Sequence, residues 1–381
     1  MRLAALGAAR SAPLGTALAI SVAAHLAVYG LTPVLSLHLV ALGASSTQVG
    51  VLFSVFSLVA VVLRPVAGAW IDRRGIRRAL FAGAVLVILS SLGFQAVTAP
   101  PALVVLMAVF GVGFGLVTMA AAMLAASAPA ERRAEALSVY YLAAPVAMAI
   151  AAPLGLWLFR HVGVRANFTL VTMLGLGAAA CGWWSPRSTA GGRAGSSPLW
   201  SRGAVPLSIV VAIAAMGQSA LYAFLPLHAA DHGHERHLPW FFGLYSVGMI
   251  VFRAAVSGIA GRVGRSQILL PALGCLAAGF GVLIAPPTPA RLAVAAILLA
   301  VGSSALYPML VALVVERVPD RERGVAMGSV SGGWDLGAFA GALLIGAVAE
   351  HGSHGAGFAT ATAFIVIALG TFLLVERRSS V

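Results

Sequence analysis

Long apolar runs, each about as long as a lipid bilayer is thick, succeed one another along this chain and are separated by turn residues and arginines. A hydrocarbon core of roughly 30 Å takes about 20 residues of helix, and in lipid a helix satisfies its own backbone N–H and C=O groups. The runs therefore predict an all-α integral membrane protein of twelve transmembrane helices. They span Leu14 to Ala41, Thr47 to Ile71, Arg78 to Thr98, Pro101 to Ser127, Ala134 to Phe159 and Val164 to Trp184 in the first half. In the second half they span Ala204 to Ala230, Pro239 to Ala260, Gln267 to Ala285, Leu292 to Val315, Gly324 to Ala349 and Gly357 to Val375. The first run, with Arg2 and Arg10 ahead of it, is too long for the core of a secretory signal and is read as helix one.

Composition agrees. Only 9% of the 381 residues are charged against 60% hydrophobic, too few to coat a water-soluble globule. The formal charge of +13 would suggest nucleic acid if it formed one basic face, but it is spread in short clusters between apolar runs, so no nucleic-acid partner is expected. The two cysteines, Cys181 and Cys275, sit inside apolar runs and support neither a disulfide framework nor a cysteine metal site.

Basic residues near helix ends mark the cytoplasmic side. Of the 24 basic residues, all arginine, eighteen fall in one set of loops, among them Arg2, Arg73, Arg74, Arg132, Arg133, Arg317, Arg321, Arg377 and Arg378. The alternate loops hold four, Arg160, Arg165, Arg236 and Arg291, and Arg64 and Arg253 lie within or just under helices. This bias places both termini in the cytoplasm. Residues 1–185 and 204–381 then form two six-helix halves joined by a cytoplasmic linker, 186–203, rich in Gly, Ser, Pro and Arg.

The halves repeat each other. A shift of 189 lays Arg64 on Arg253, Arg73 on Arg262 and Gly75 on Gly264; a shift of 190 lays Pro129 on Pro319 and Arg133 on Arg323. A shift of 193 lays Tyr29 on Tyr222 and Pro33 on Pro226, with His25 on Gln218. Duplicated units of this kind build many carriers around a central site.

The segment Gly68-Ala-Trp-Ile-Asp72-Arg73-Arg-Gly75-Ile-Arg77-Arg78 closely resembles the signature loop between helices two and three of the major facilitator superfamily. That resemblance implies two six-helix bundles around a central cavity and a latch on the cytoplasmic side. The latch comprises Gly68, Asp72, Arg73, Gly75, Arg77 and Arg78, with Glu131 and Glu316 as candidate partners. Gly68 is expected to permit close helix approach and Gly75 a tight turn. Within the superfamily, Arg64-Pro65 with Gly68 and Asp335-Leu336-Gly337 resemble the bacterial arabinose-efflux and drug-exporter branches. The chain departs from those exporters at Met107, where many carry an arginine, and at Ala152-Pro153-Leu154-Gly155, a partial form of their Gly-Pro motif.

Polar groups at membrane depth are costly unless they line a cavity or find partners. His25 and Tyr29 are four apart on helix one and share a face, and Gln218 and Tyr222 repeat that arrangement on helix seven. In the superfamily these two helices border the central cavity, so the four residues are the leading candidate substrate contacts, facing one aqueous cavity from opposite halves; bonding that merely joins helices is the competing role. Tyr307 and Trp334 are weaker candidates of the same kind. Asp335, roughly 16 Å into helix eleven, is the acidic residue placed deepest in the membrane and the candidate proton carrier. The outer loop Asp231-His232-Gly-His234-Glu235-Arg-His237 holds metal-ligand types, although a solvated loop accepts histidine at no cost and no metal is expected.

No P-loop and no catalytic constellation is evident, so neither ATP-driven transport nor an enzyme is expected. The expectation is a monomeric secondary transporter of the cytoplasmic membrane, without cofactor, whose partners are a small organic solute, protons and the bilayer. The expected direction is proton-coupled efflux, with proton-coupled import of a small metabolite or a transport-inactive sensor on the same fold as alternatives.

Overall fold

In lipid, apolar side chains gain little by meeting each other, so helices join through small residues that let backbones approach and through hydrogen bonds between them. A computed structural model describes residues 12–129, 133–140, 143–184, 201–259, 262–319 and 322–379. Among them it has fourteen α-helices and no strand. In the first half they are α1 (Ala12–Ala41), α2 (Ser46–Arg74), α3 (Ile76–Ala96), α4 (Pro100–Ala126), α5 (Arg133–Tyr140), α6 (Ala143–His161) and α7 (Val164–Trp183). In the second they are α8 (Val205–Gln218), α9 (Ala220–Asp231), α10 (Leu238–Ile259), α11 (Arg265–Val282), α12 (Pro289–Arg317), α13 (Arg323–His351) and α14 (His354–Ser379).

Among the described residues eleven candidate spans are long and apolar enough to cross a membrane, and the shorter apolar helix Val146–His161 stands at the remaining expected crossing. The fifth run contains α5 and α6. The seventh is α8 and α9, which meet at Ser219. Its hydroxyl donates to Met216 O (2.7 Å) while its N–H keeps the helical bond to Ala215 O (3.0 Å), so the ladder is disturbed locally and continues. Pro33 lies inside α1 and Pro226 inside α9, four residues after Tyr29 and Tyr222, and each removes a donor from the ladder.

The chain divides into two compact units, one of residues 1–38 and 62–195 and the other of residues 39–61 and 196–381. The first half of α2 thus belongs by contact to the second unit.

The first unit packs Leu14, Ile20, Ile71, Leu80, Val117 and Leu124 into a fully buried core. At Gly155 a Cβ would come 2.3 Å from Gly30 O, so the glycine of the partial exporter motif is where α6 presses on α1. Asn167 Nδ2 donates to the same Gly30 carbonyl (3.2 Å). In the second unit α13 lies along α8 through Gly333, Gly337 and Gly341, one per turn. A Cβ at these positions would stand 2.7, 2.0 and 2.3 Å from the carbonyl oxygens of Ser208, Ala212 and Met216, themselves one per turn on α8.

Candidate functional site

In the first unit the i, i+4 spacing of His25 and Tyr29 stacks their rings, with centroids 6.1 Å apart and planes 26° apart. Phe114 of α4 meets the imidazole edge-on at 5.5 Å. His25 Nδ1 lies 2.7 Å from Ser21 O, and a carbonyl only accepts, so Nδ1 carries the proton. In the neutral ring Nε2 is therefore the acceptor. A small cleft beside this group is lined by Ala27, Val87, Phe110, Phe114, Gly175 and further apolar residues, and it presents no polar side chain to a ligand.

In the second unit Gln218, at the end of α8, donates through Nε2 to Ser303 Oγ of α12 (3.0 Å). Tyr222 stacks on Phe242 of α10, centroids 5.2 Å apart. Tyr307 and Ser331 share a hydrogen bond of 2.8 Å, and Trp334 sits edge-on to Tyr307 at 5.5 Å. Arg253 of α10 donates through Nε to Ser304 O (3.4 Å). Asp335 is half-buried, with Oδ2 shielded from solvent. Gln218, Ser303, Tyr307, Trp334 and Asp335 thus fall on three neighbouring helices of one unit.

The sequence does not mark Phe114 and Ser303 as partners, yet the repeat contains a trace of them. The shift of 190 that relates helices four and ten carries Phe114 to Ser304, the neighbour of Ser303. His25 against α4 and Gln218 against α12 therefore join corresponding helices of the two repeats, through residues one position out of register.

The signature loop closes α2 and opens α3. Gly75 has φ of 87° and is the N-cap of α3, a backbone state that favours glycine, as expected. Asp72 is half-buried with Oδ1 shielded, and Arg73, Arg74 and Arg78 are exposed. The Arg77 guanidinium lies 4.3 Å over the ring of Trp183, a cation–π contact inside the first unit. Gly68 departs from expectation: a Cβ there would meet Met119 Cε at 3.5 Å, an ordinary contact, so close approach inside its unit does not demand glycine. Glu131 lies outside the described residues. Glu316 is ion-paired with Arg265, and Arg317 with Glu376, which also accepts from Ser266 Oγ (2.8 Å). The segment around Arg262 and Gly264, which the repeat lays on the signature loop, thus has an ion pair at its end, Arg265 with Glu316.

At the other end, the histidines of the loop after α9 separate. Asp231 bonds His354 Nδ1 (2.5 Å), His228 and His232 meet edge-on at 5.0 Å, and His234 pairs with His237 at 5.7 Å. Among the described residues no three His, Cys, Asp or Glu side chains converge as a metal site.

The family model described as Major Facilitator Superfamily matches residues 17–290 and 207–381. The chain is 22% identical over 365 residues to an uncharacterised MFS-type transporter of Methanocaldococcus jannaschii, MJ1560, covering 91% of this chain and 94% of that protein. Its fold is similar to a crystal structure of a mutant of the nucleoside transporter NupG, with TM-score 0.80 and 12% identity over 95% of this chain and 99% of that one. A mutant of peptide transporter POT in complex with sulfate gives TM-score 0.78 and 17% identity over 96% and 94%. At these identities the solved structures speak for the fold alone. The family match spans nearly the whole chain and fits its multi-pass helical architecture: the protein belongs to the Major Facilitator Superfamily of membrane transporters.

Proposed function

We propose that the protein is a secondary active transporter that moves a small organic solute across the bacterial cytoplasmic membrane by alternating access, in the direction of proton-coupled efflux. The observation that carries this reading is the pairing of polar groups at repeat-related positions deep in apolar helices, His25 against α4 and Gln218 against α12. At membrane depth a polar side chain is costly unless it lines a cavity or finds a partner, and these stand on the helices that the repeat relates. His25, Tyr29, Gln218, Tyr222, Tyr307 and Trp334 are the substrate contacts in this reading. Their mix of aromatic faces with single acceptors and donors suits an organic molecule with a flat apolar part and a few polar edges. Asp335 carries the coupling proton. Gly68, Asp72, Arg73, Gly75, Arg77, Arg78 and Glu131 work the cytoplasmic gate, with Arg77 moving between Trp183 and a carboxylate. The arginine bias supports cytoplasmic termini, with 186–203 as an inner linker between 1–185 and 204–381, and a monomer suffices because each chain carries both repeats.

Inside-out vesicles, screened with a panel of organic solutes with and without an imposed pH gradient, test this reading. Accumulation of one solute class only under the gradient, collapsing when a protonophore is added, is expected. Gradient-driven accumulation in right-side-out vesicles alone would replace efflux by import.

A further inference from the structure

Ser303 and Tyr307 are four apart on one face of α12, the first bonded to Gln218 of α8 and the second to Ser331 of α13. Between them the helix has lost a hydrogen bond of its own. Pro308 has no N–H, so the Ser304 carbonyl four residues back lacks its helical donor, and the proline ring crowds that carbonyl and bends the helix. Ser304 is fully buried and midway along α12, roughly 20 Å from each end. A polar atom at such a place is costly unless something donates to it.

The serine's own hydroxyl does not serve, since Ser304 Oγ donates to Val301 O (2.7 Å). The donor comes from another helix: Arg253 Nε of α10 donates to Ser304 O (3.4 Å). The two helices run close just before this contact, where a Cβ on Gly248 would stand 3.0 Å from Ala300 Cβ. Charged donors make the stronger hydrogen bonds and arginine keeps its charge at any depth, so the contact pins the bent backbone as well as satisfying it. The first repeat meets the same need from within its own helix. The shift of 190 lays Phe114 on Ser304 and Thr118 on Pro308, and Thr118 has an N–H and also donates through Oγ1 to Phe114 O (2.8 Å).

We propose that Arg253 is a positioning residue: it stands in for the N–H that Pro308 lacks, and by pinning the bend between Ser303 and Tyr307 it aims one at Gln218 and the other at Ser331. The inference rests on the transport reading above, in which Gln218 and Tyr307 touch the solute, and Arg253 acts through them.

Two measurements on purified protein in nanodiscs test it. The first is a double-mutant cycle with Pro308→Ala, which gives the Ser304 carbonyl a donor in its own helix. Arg253→Ala is expected to lower Tm by about 3 °C with Pro308 in place and by less than half of that beside Pro308→Ala. The second reads the aim of Tyr307 by fluorine NMR of protein carrying 3-fluorotyrosine at its six tyrosines, the Tyr307 resonance being the one that Tyr307→Phe removes. Arg253→Ala is expected to move that resonance towards its position in Ser331→Ala, where the bond to Tyr307 is lost, and Arg253→Lys, which keeps a charged donor, to move it less. Equal Tm losses in the two Pro308 backgrounds, or a Tyr307 resonance that stays in place in whichever of the two Arg253 variants folds, would overturn the inference. Neither measurement requires a solute. A protein that moves nothing across a membrane yet shows both effects would remove the transport reading and leave Arg253 its role in the bend, whereas an active transporter with neither effect would do the reverse.

Discussion

Replacing Asp335 by Asn is expected to leave the protein unable to concentrate its solute while exchange down a gradient persists. Asp335 is twelve residues from the start of α13 at Arg323 and sixteen from its end at His351, so at 1.5 Å per residue it lies roughly 18 and 24 Å from the two ends. At that depth a charge survives only with water or a partner, and a conformational change that alters hydration loads or releases a proton. Asn keeps the size and hydrogen bonds of the site and loses the proton. One pH unit is worth about 1.36 kcal/mol per proton, so a one-proton carrier sustains about tenfold accumulation against a one-unit gradient and the variant about none. Steady-state accumulation and solute counterflow in the same vesicles separate the two functions. An Asn variant that still accumulates tenfold would exclude Asp335 as the obligatory carrier.

A second large effect is expected two residues on. Glycine in a helix usually gains up to about 1 kcal/mol on replacement by alanine, because the side chain restrains the unfolded chain. At Gly337 the opposite wins, since a Cβ would stand 2.0 Å from Ala212 O and 2.8 Å from its Cα, backbone atoms that can move only with the whole helix. Separating α13 from α8 there also loosens the contacts of Gly333 and Gly341. Gly337→Val is expected to destabilise by about 3 kcal/mol or more, the upper end of overpacking, with loss of monodisperse protein in detergent. Gly274→Ala in α11, where nothing lies within 4 Å, is expected to be neutral or to raise Tm slightly. A Gly337→Val protein that melts with the wild type would contradict the packing of α13 on α8.

Crossing positions were legible because length and apolarity suffice to recognise a membrane helix. Their ends were less so: α12 runs Pro289–Arg317 where the apolar run suggests Leu292 to Val315, since a helix continues past the hydrocarbon into water. The division of α2 between two units was not legible, because it depends on which helices abut, and hydropathy carries no such information. In the candidate site, the His25–Tyr29 pair followed from spacing on one helix. Ser303 did not, because serine in a membrane helix commonly bonds its own backbone, as Ser304 does to Val301 O (2.7 Å). Glycines misled in both directions. Gly68 looked like a close-approach residue and has room, while in Asp335-Leu336-Gly337 the carboxylate drew attention and the glycine makes the tightest contact.

Alternating access is tested most directly, and without knowing the solute, by a single cysteine in place of Gln218. In sealed vesicles of either orientation that still hold an imposed pH gradient, an impermeant thiol reagent is expected to label this position from both faces, because a carrier opens its site to each side in turn and never to both. Labelling from one face alone, or from neither, would contradict a carrier whose site includes Gln218.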